Sequence, residues 1–153
     1  MLSFLVLAQM IRAAGKPDRM ELVTDGNQAI FLNENAMSFQ IGEKTFKITR
    51  KGFFGPNYQL WLGEDLVVSL AQTPCFNRYS VAYAQQVWTL KAIGLMARKF
   101  GLYEGDKQVG SILPTHLNPY REILIDLPVE LPLEVQTFLL WVVLWNWSAN
   151  NSS

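Results

Sequence analysis

Leu131-Pro132-Leu133-Glu134-Val135-Gln136-Thr137-Phe138-Leu139-Leu140-Trp141-Val142-Val143-Leu144-Trp145-Asn146-Trp147 is the stretch that decides the fold. Pro132 suits the first position of a helix, where a missing N–H costs nothing. Glu134 falls in the first turn, where the helix dipole favours an anion. From Phe138 to Trp145 no polar side chain occurs, so no solvent-facing stripe can be drawn. Such a rod must be kept dry by lipid or by protein. A bilayer crossing needs roughly 20 apolar residues. The helix expected over residues 132–147 is shorter, ~24 Å long, and Gln136, Thr137 and Asn146 interrupt it. No basic cluster flanks it, as an oriented membrane span would require. The expectation is burial within protein, with a C-terminal membrane anchor as the competing reading. Trp141, Trp145 and Trp147 then need a wide apolar enclosure. A closed sheet supplies one, because alternate side chains of every strand point inward.

The 153 residues suffice for one domain with a sizeable core, and half of them are hydrophobic, which argues against global disorder. Basic and acidic residues cancel formally, so no strong net field draws the chain to nucleic acid or to an acidic membrane. Contact with an anion must rest on a local patch. Cys75 is the single cysteine, which excludes an internal disulfide and fits a reducing compartment. It is expected to be a small buried apolar group.

Elsewhere the pattern is short alternating runs separated by turn residues. Residues 21–24 and 28–32 flank Asp25-Gly26, a type I′ turn pair. Ser38–Ile41 turns through Gly42-Glu43-Lys44 into a strand with Phe46 and Ile48 on one face. Tyr58–Leu62 and Leu66–Leu70 flank Gly63-Glu64-Asp65, and residues 79–83 and 87–92 are further strands. Lys99–Tyr103 and Gln108–Leu113 form the best-defined hairpin. Gly110 inside it implies a close approach by another backbone or a bulky ring, the central helix being the candidate. Residues 121–127 alternate with Ile123 and Ile125 inward. About 10–12 strands therefore precede one helix, an order that points to an antiparallel barrel rather than βαβ units. At the N-terminus, residues 2–14 are expected to form a short helix ended by Gly15 and Pro17. The apolar run Met1–Ala8 lacks the basic start of a secretory signal, which is the competing reading. The expected organisation is a helical extension over 1–20, a barrel over 21–147 and a polar tail over 148–153.

Several motifs stand in a familiar order: Lys51-Gly52-Phe53-Phe54-Gly55, Tyr58-Gln59-Leu60, Trp88-Thr89-Leu90-Lys91-Ala92, Phe100-Gly101-Leu102-Tyr103-Glu104-Gly105, Val109-Gly110-Ser111-Ile112 and the run from Leu131 to Trp141. Over about residues 38–147 the chain resembles the LURP-one-related proteins of the tubby C-terminal-like superfamily, which includes the phospholipid scramblases. The resemblance implies a closed, mainly antiparallel β-barrel, nominally of twelve strands, around a hydrophobic C-terminal helix. It also implies a setting near membranes: tubby proteins bind phosphoinositides through basic residues on the barrel exterior, and scramblases are membrane-associated and calcium-dependent. The LURP-one branch is tied to plant defence. This chain lacks the acidic calcium loop and the palmitoylated cysteine cluster of a scramblase.

Catalytic signals are sparse. His116 is the single histidine, in the loop from Pro114 to Pro119, and a Ser-His-Asp or Cys-His arrangement would have to use it. A solvent-exposed loop histidine is the expected reading. One His and one Cys do not make an ordinary zinc site, and no cofactor is expected. Glu64, Asp65, Glu104 and Asp106 fall in turns, where carboxylates are at home. Lys47, Arg50, Lys51, Arg98 and Lys99 are the candidate binding residues. Outward positions on neighbouring strands would pool them into a patch for anionic headgroups, against the plainer reading of strand-edge charge. The leading expectation is a non-enzymatic, cytoplasmic barrel module that contacts an anionic lipid headgroup or a protein partner, peripheral at the membrane. The alternative is a small-molecule binder or enzyme with its site at a barrel mouth near residues 114–120 and 53–56.

Overall fold

The computed structural model describes residues 11–24, 29–33, 35–51, 57–73, 78–94 and 98–151. The chain is mostly β. Twelve strands form one antiparallel sheet: β1 (Ile11–Lys16), β2 (Arg19–Val23), β3 (Ala29–Leu32), β4 (Ser38–Ile41), β5 (Lys44–Lys51), β6 (Asn57–Leu62), β7 (Asp65–Gln72), β8 (Arg78–Tyr83), β9 (Gln86–Ile93), β10 (Lys99–Glu104), β11 (Lys107–Pro114) and β12 (Ile123–Asp126). A 3-10 turn, Pro119–Arg121, precedes β12, and helix α1 (Leu133–Asn151) follows it. The sheet runs β3-β2-β1-β12 and then down to β4, so neighbouring strands are consecutive in sequence except where β1 meets β12.

Period-2 alternation decides which side chains enter the barrel. Tyr58 and Leu60, Tyr79 and Val81, Trp88 and Leu90, and Phe100 and Leu102 are each buried with their sequence neighbours on the outside or partly exposed, except at Gly101. These inward rows surround α1, whose side chains from Val135 to Leu144 are buried on every side. No solvent-facing stripe exists because the sheet meets all faces of the rod. Trp141 stands edge-on to Tyr58 of β6 (5.5 Å between ring centroids). Asn146 Nδ2 donates to Tyr79 Oη of β8 at 3.0 Å. Trp147 Nε1 donates to the Arg98 carbonyl just before β10 at 3.1 Å. No helix among the described residues is long and apolar enough to cross a membrane, and burial of α1 sets aside the anchor reading.

The barrel is nearly closed. Its seam lies between β3 and β4, the ends of the strand order. The connection between them is tied inward: Ile48 N donates to the Met37 carbonyl at 2.7 Å, and Trp141 Nε1 donates to the Ala36 carbonyl at 3.0 Å. A helix side chain thus satisfies a backbone acceptor at the place where no ladder does.

Four expectations change. Residues 11–14 are not helical, and residues 11–20 are not an extension: Ile11 and Ala13 are buried while Arg12 and Ala14 face out, and β1 pairs with β12 on one side and β2 on the other. The three-residue alternation was too short to read against the apolar run before it. Residues 1–10, Asp25-Gly26 and Cys75 lie outside the described residues. The polar tail is shorter than expected, because α1 continues to Asn151. Trp147, held by the Arg98 carbonyl and by the edge of Tyr120, anchors the last turns. Pro132 sits one residue ahead of the helix, its carbonyl accepting from Gln136 N at 3.1 Å. Finally, Gly110 does face a close backbone, but it is that of β12 and not of the helix: a Cβ there would lie 2.7 Å from the Asp126 carbonyl oxygen.

Candidate anion-binding end of the barrel

In an up-and-down barrel alternate turns open at alternate ends. The connections after β1, β3, β5, β7, β9 and β11 lie at one end. Those after β2, β4, β6, β8, β10 and β12 lie at the other. Charge divides with them. At the first end stand Lys16 and Arg19, Arg50 and Lys51, Arg78, Arg98 and Lys99, and Arg121, with Asp18 and Glu122 as the described acids. The second end carries Glu43, Glu64 and Asp65, Glu104 and Asp106, Asp126, Glu130 and Glu134, with Arg12, Lys44 and Lys107 as the described bases. A formal charge near zero therefore hides an end-to-end dipole. The helix is aligned with it: α1 starts at the acidic end and finishes at the basic end, so each rim complements the partial charge of the helix terminus beside it.

The five candidate residues distribute unevenly. On β5, Lys47 and Lys51 share the outward parity, whereas Arg50 shares the inward parity of Phe46 and Ile48 and pairs in register with Tyr58. Lys47 sits along the wall, opposite Ser38 and Trp61. β5 and β10 are not neighbours; β6, β7, β8 and β9 stand between them. The expected patch on adjacent strands does not form. What Arg50, Lys51, Arg98 and Lys99 share is the barrel end, and Lys47 is not part of it. Sequence reading missed Lys16, Arg19, Arg78 and Arg121. Their signal was present: each flanks an odd-numbered connection.

Beside Arg98 and Lys99 the basic end opens a cleft of about 460 Å³, lined by Ile93, Gly94, Arg98, Lys99 and Pro114–Leu117. This is the mouth expected near residues 114–120; residues 53–56 lie outside the described residues. The loop forming its lip is braced from both sides. Thr115 N donates to the Glu122 carbonyl at 3.1 Å, and Arg121 N to the Asn118 carbonyl at 3.1 Å. Asn118 Oδ1 accepts from Tyr120 N at 3.1 Å, capping the 3-10 turn. The Arg98 guanidinium donates to the Leu117 carbonyl.

His116 is exposed, as expected, and it has a partner. Thr115 Oγ1 donates to Glu122 Oε1 at 2.9 Å and lies 2.9 Å from His116 Nδ1. The hydroxyl stands between carboxylate and imidazole, donating to the carboxylate. A nucleophilic hydroxyl needs the imidazole in the middle, so this chain braces the loop. Among the described residues no group of three or more His, Cys, Asp or Glu is gathered for a metal ion.

Inside the same end, burial pushes the Tyr58 hydroxyl up to about 12, with Arg50 pulling the other way. Trp145 lies beside it, yet the hydroxyl is buried without a hydrogen bond of acceptable geometry. Tyr79 is also raised by burial and is moderated by its bond from Asn146. The acidic end has a groove of its own, about 610 Å³, edged by Glu104, Asp126 and Glu130.

Comparison with protein-family models, curated proteins and solved structures finds no match to this chain.

Proposed function

We propose that this chain is a non-enzymatic barrel module, of the tubby C-terminal-like kind, that docks end-on against anionic phosphate groups at a membrane surface. The observation that carries this reading is the gathering of basic side chains at the end where α1 finishes, opposite an acidic end. Such a dipole orients a nearly neutral protein before contact and turns the acidic end away from a negative surface. A basic side chain near an anionic leaflet contributes about 1 kcal/mol. Four of them acting together give about 4 kcal/mol, which is millimolar affinity. The binding is therefore weak, peripheral and salt-sensitive, as a cytoplasmic module sampling a membrane would be.

Sedimentation with phosphatidylcholine vesicles, alone or mixed with phosphatidylserine or a phosphoinositide, tests it. Binding is expected on the anionic vesicles only and is lost in high salt. The joint variant Arg50→Glu, Lys51→Glu, Arg98→Glu, Lys99→Glu should abolish it, while Lys47→Glu leaves most of it. Competition by a soluble inositol phosphate tells a headgroup-specific cleft from a diffuse charge effect. Failure of the parent protein to sediment with anionic vesicles overturns the proposal.

A second reading rests on the cleft beside Pro114–Leu117. Its basic lining suits a small anionic molecule. A thermal-shift screen with a hit that survives Arg50→Glu and Lys51→Glu but not Lys99→Glu would favour it.

A further inference from the structure

Resting on the reading of the basic end as the membrane-facing one, we infer that Leu117 is a membrane-penetrating tip, held out of the protein so that it enters the headgroup layer when the basic rim docks. A single exposed apolar side chain is ordinary on a protein surface. Three observations set this one apart.

The first is exposure. Leu117 is 92 % accessible, more than any other large apolar side chain described as exposed; Val87 follows at 62 %. The second is rigidity. A leucine on a slack loop would fold back onto the apolar lining of the cleft beneath it. Here Pro114 and Pro119 bound the loop, the Thr115–Glu122 and Asn118–Arg121 backbone bonds close its base, and the Arg98 guanidinium holds the Leu117 carbonyl itself. The third is company. The side chain rises beside Arg98, Lys99 and His116 at the basic end. An apolar tip flanked by the two cations Arg98 and Lys99 is the arrangement that seats a protein in the interface, the cations on phosphates and the apolar group below them. Other exposed apolar groups lack this setting. Phe31 is covered by the Arg19 guanidinium (4.7 Å to the ring centroid). Val23 ends β2, Leu66 and Val87 are the second residues of β7 and β9, and Val129 follows β12, all at the acidic end.

The occupant is thus an anionic bilayer, chosen by the charge around the tip. The weakness of the electrostatic term alone gives the tip its role, since it lengthens residence once the rim has made contact.

The test uses the full chain and vesicles of phosphatidylcholine with phosphatidylserine. Leu117→Ala is expected to lower vesicle affinity about tenfold, the effect of removing a leucine side chain's buried apolar surface from the interface. Its melting temperature should stay close to that of the parent, because Leu117 is 92 % accessible. An environment-sensitive dye attached through Leu117→Cys, in a Cys75→Ser background, should shift to the blue and brighten on anionic vesicles and stay unchanged on phosphatidylcholine alone. If the parent binds anionic vesicles, Leu117→Ala binds them equally and the dye remains in water, the tip is refuted while end-on docking stands. If the parent does not bind them at all, the docking reading falls and the tip falls with it. An equal loss of inositol phosphate binding in Leu117→Ala would mean that the variant had damaged the cleft, and would also overturn the tip.

Discussion

Trp141→Phe isolates what the central helix does for the barrel wall. Trp141 is fully buried, stacks on Trp145 at 5.8 Å, meets Tyr58 edge-on and donates its indole N–H to the Ala36 carbonyl at 3.0 Å. Phenylalanine keeps an aromatic ring in the same place and removes the donor. The smaller ring leaves a cavity of about 40 Å³, which at ~24 cal/mol per Å³ costs about 1 kcal/mol. The Ala36 carbonyl, half-buried, loses its partner at the one seam that no ladder bridges, which costs a further ~1–2 kcal/mol, the lower part of the range for an unpaired acceptor. The sum, about 2–3 kcal/mol, corresponds to a fall of roughly 4–12 °C in melting temperature for a domain of this size. Calorimetry gives the total. Amide hydrogen exchange gives its location: Asn35–Met37 and the β4 amides should exchange faster, while β8 and β9, on the far side, change only with global stability. A loss below about 1 kcal/mol, or faster exchange spread evenly over all strands, would refute the idea that the indole fastens the seam.

Four further outcomes follow from local geometry. Tyr58→Phe deletes a buried hydroxyl that has no hydrogen-bond partner while keeping its ring on Trp141; equal stability, or a gain of up to about 1 kcal/mol in urea denaturation, is expected. The parent should also weaken in alkali. Tyr58 titrates near 12 when folded against 10.0 unfolded, so below pH 10 both states hold the proton. Between those values the unfolded state loses it first and stability falls as pH rises; melts from pH 9 upward should show a fall in the parent that Tyr58→Phe lessens. Gly110→Ala places a Cβ 2.7 Å from the Asp126 carbonyl oxygen and 3.2 Å from Leu127 Cα. Backbone must move, and a loss of about 1–3 kcal/mol is expected, read as a drop in melting temperature. Ala84 and Gln85 turn β8 into β9 with φ of 51° and 65°, the left-handed pair that Asn-Gly adopts with least strain. Ala84→Asn with Gln85→Gly should raise stability by about 1 kcal/mol; an unchanged denaturation midpoint would contradict the strain.

Much of the architecture was legible because it depends on local pattern. The absence of a polar residue from Phe138 to Trp145 announced an enclosed helix. The alternation of Phe46 with Ile48 and of Ile123 with Ile125 named inward faces that the structure confirms. β1 escaped because its alternation is brief and follows an apolar run with no period. Gly110 was read as a point of close approach, and the approaching backbone was assigned to the wrong element, since spacing along one strand does not reveal which neighbour crosses it.

The candidate site divides in the same way. Lys47, Arg50 and Lys51 are adjacent in sequence, yet pleating sends them to different faces and only Arg50 and Lys51 reach the rim. Lys16, Arg19, Arg78 and Arg121 are scattered through the chain and share one end. By itself the sequence determined most of the strands and the dry helix, because each follows from the nature and order of a few neighbouring side chains. Only the tertiary structure decided where charge accumulates. The end at which a turn opens depends on counting the strands between it and every other turn, and the unread first strand hides the basic pair Lys16 and Arg19 at its own turn.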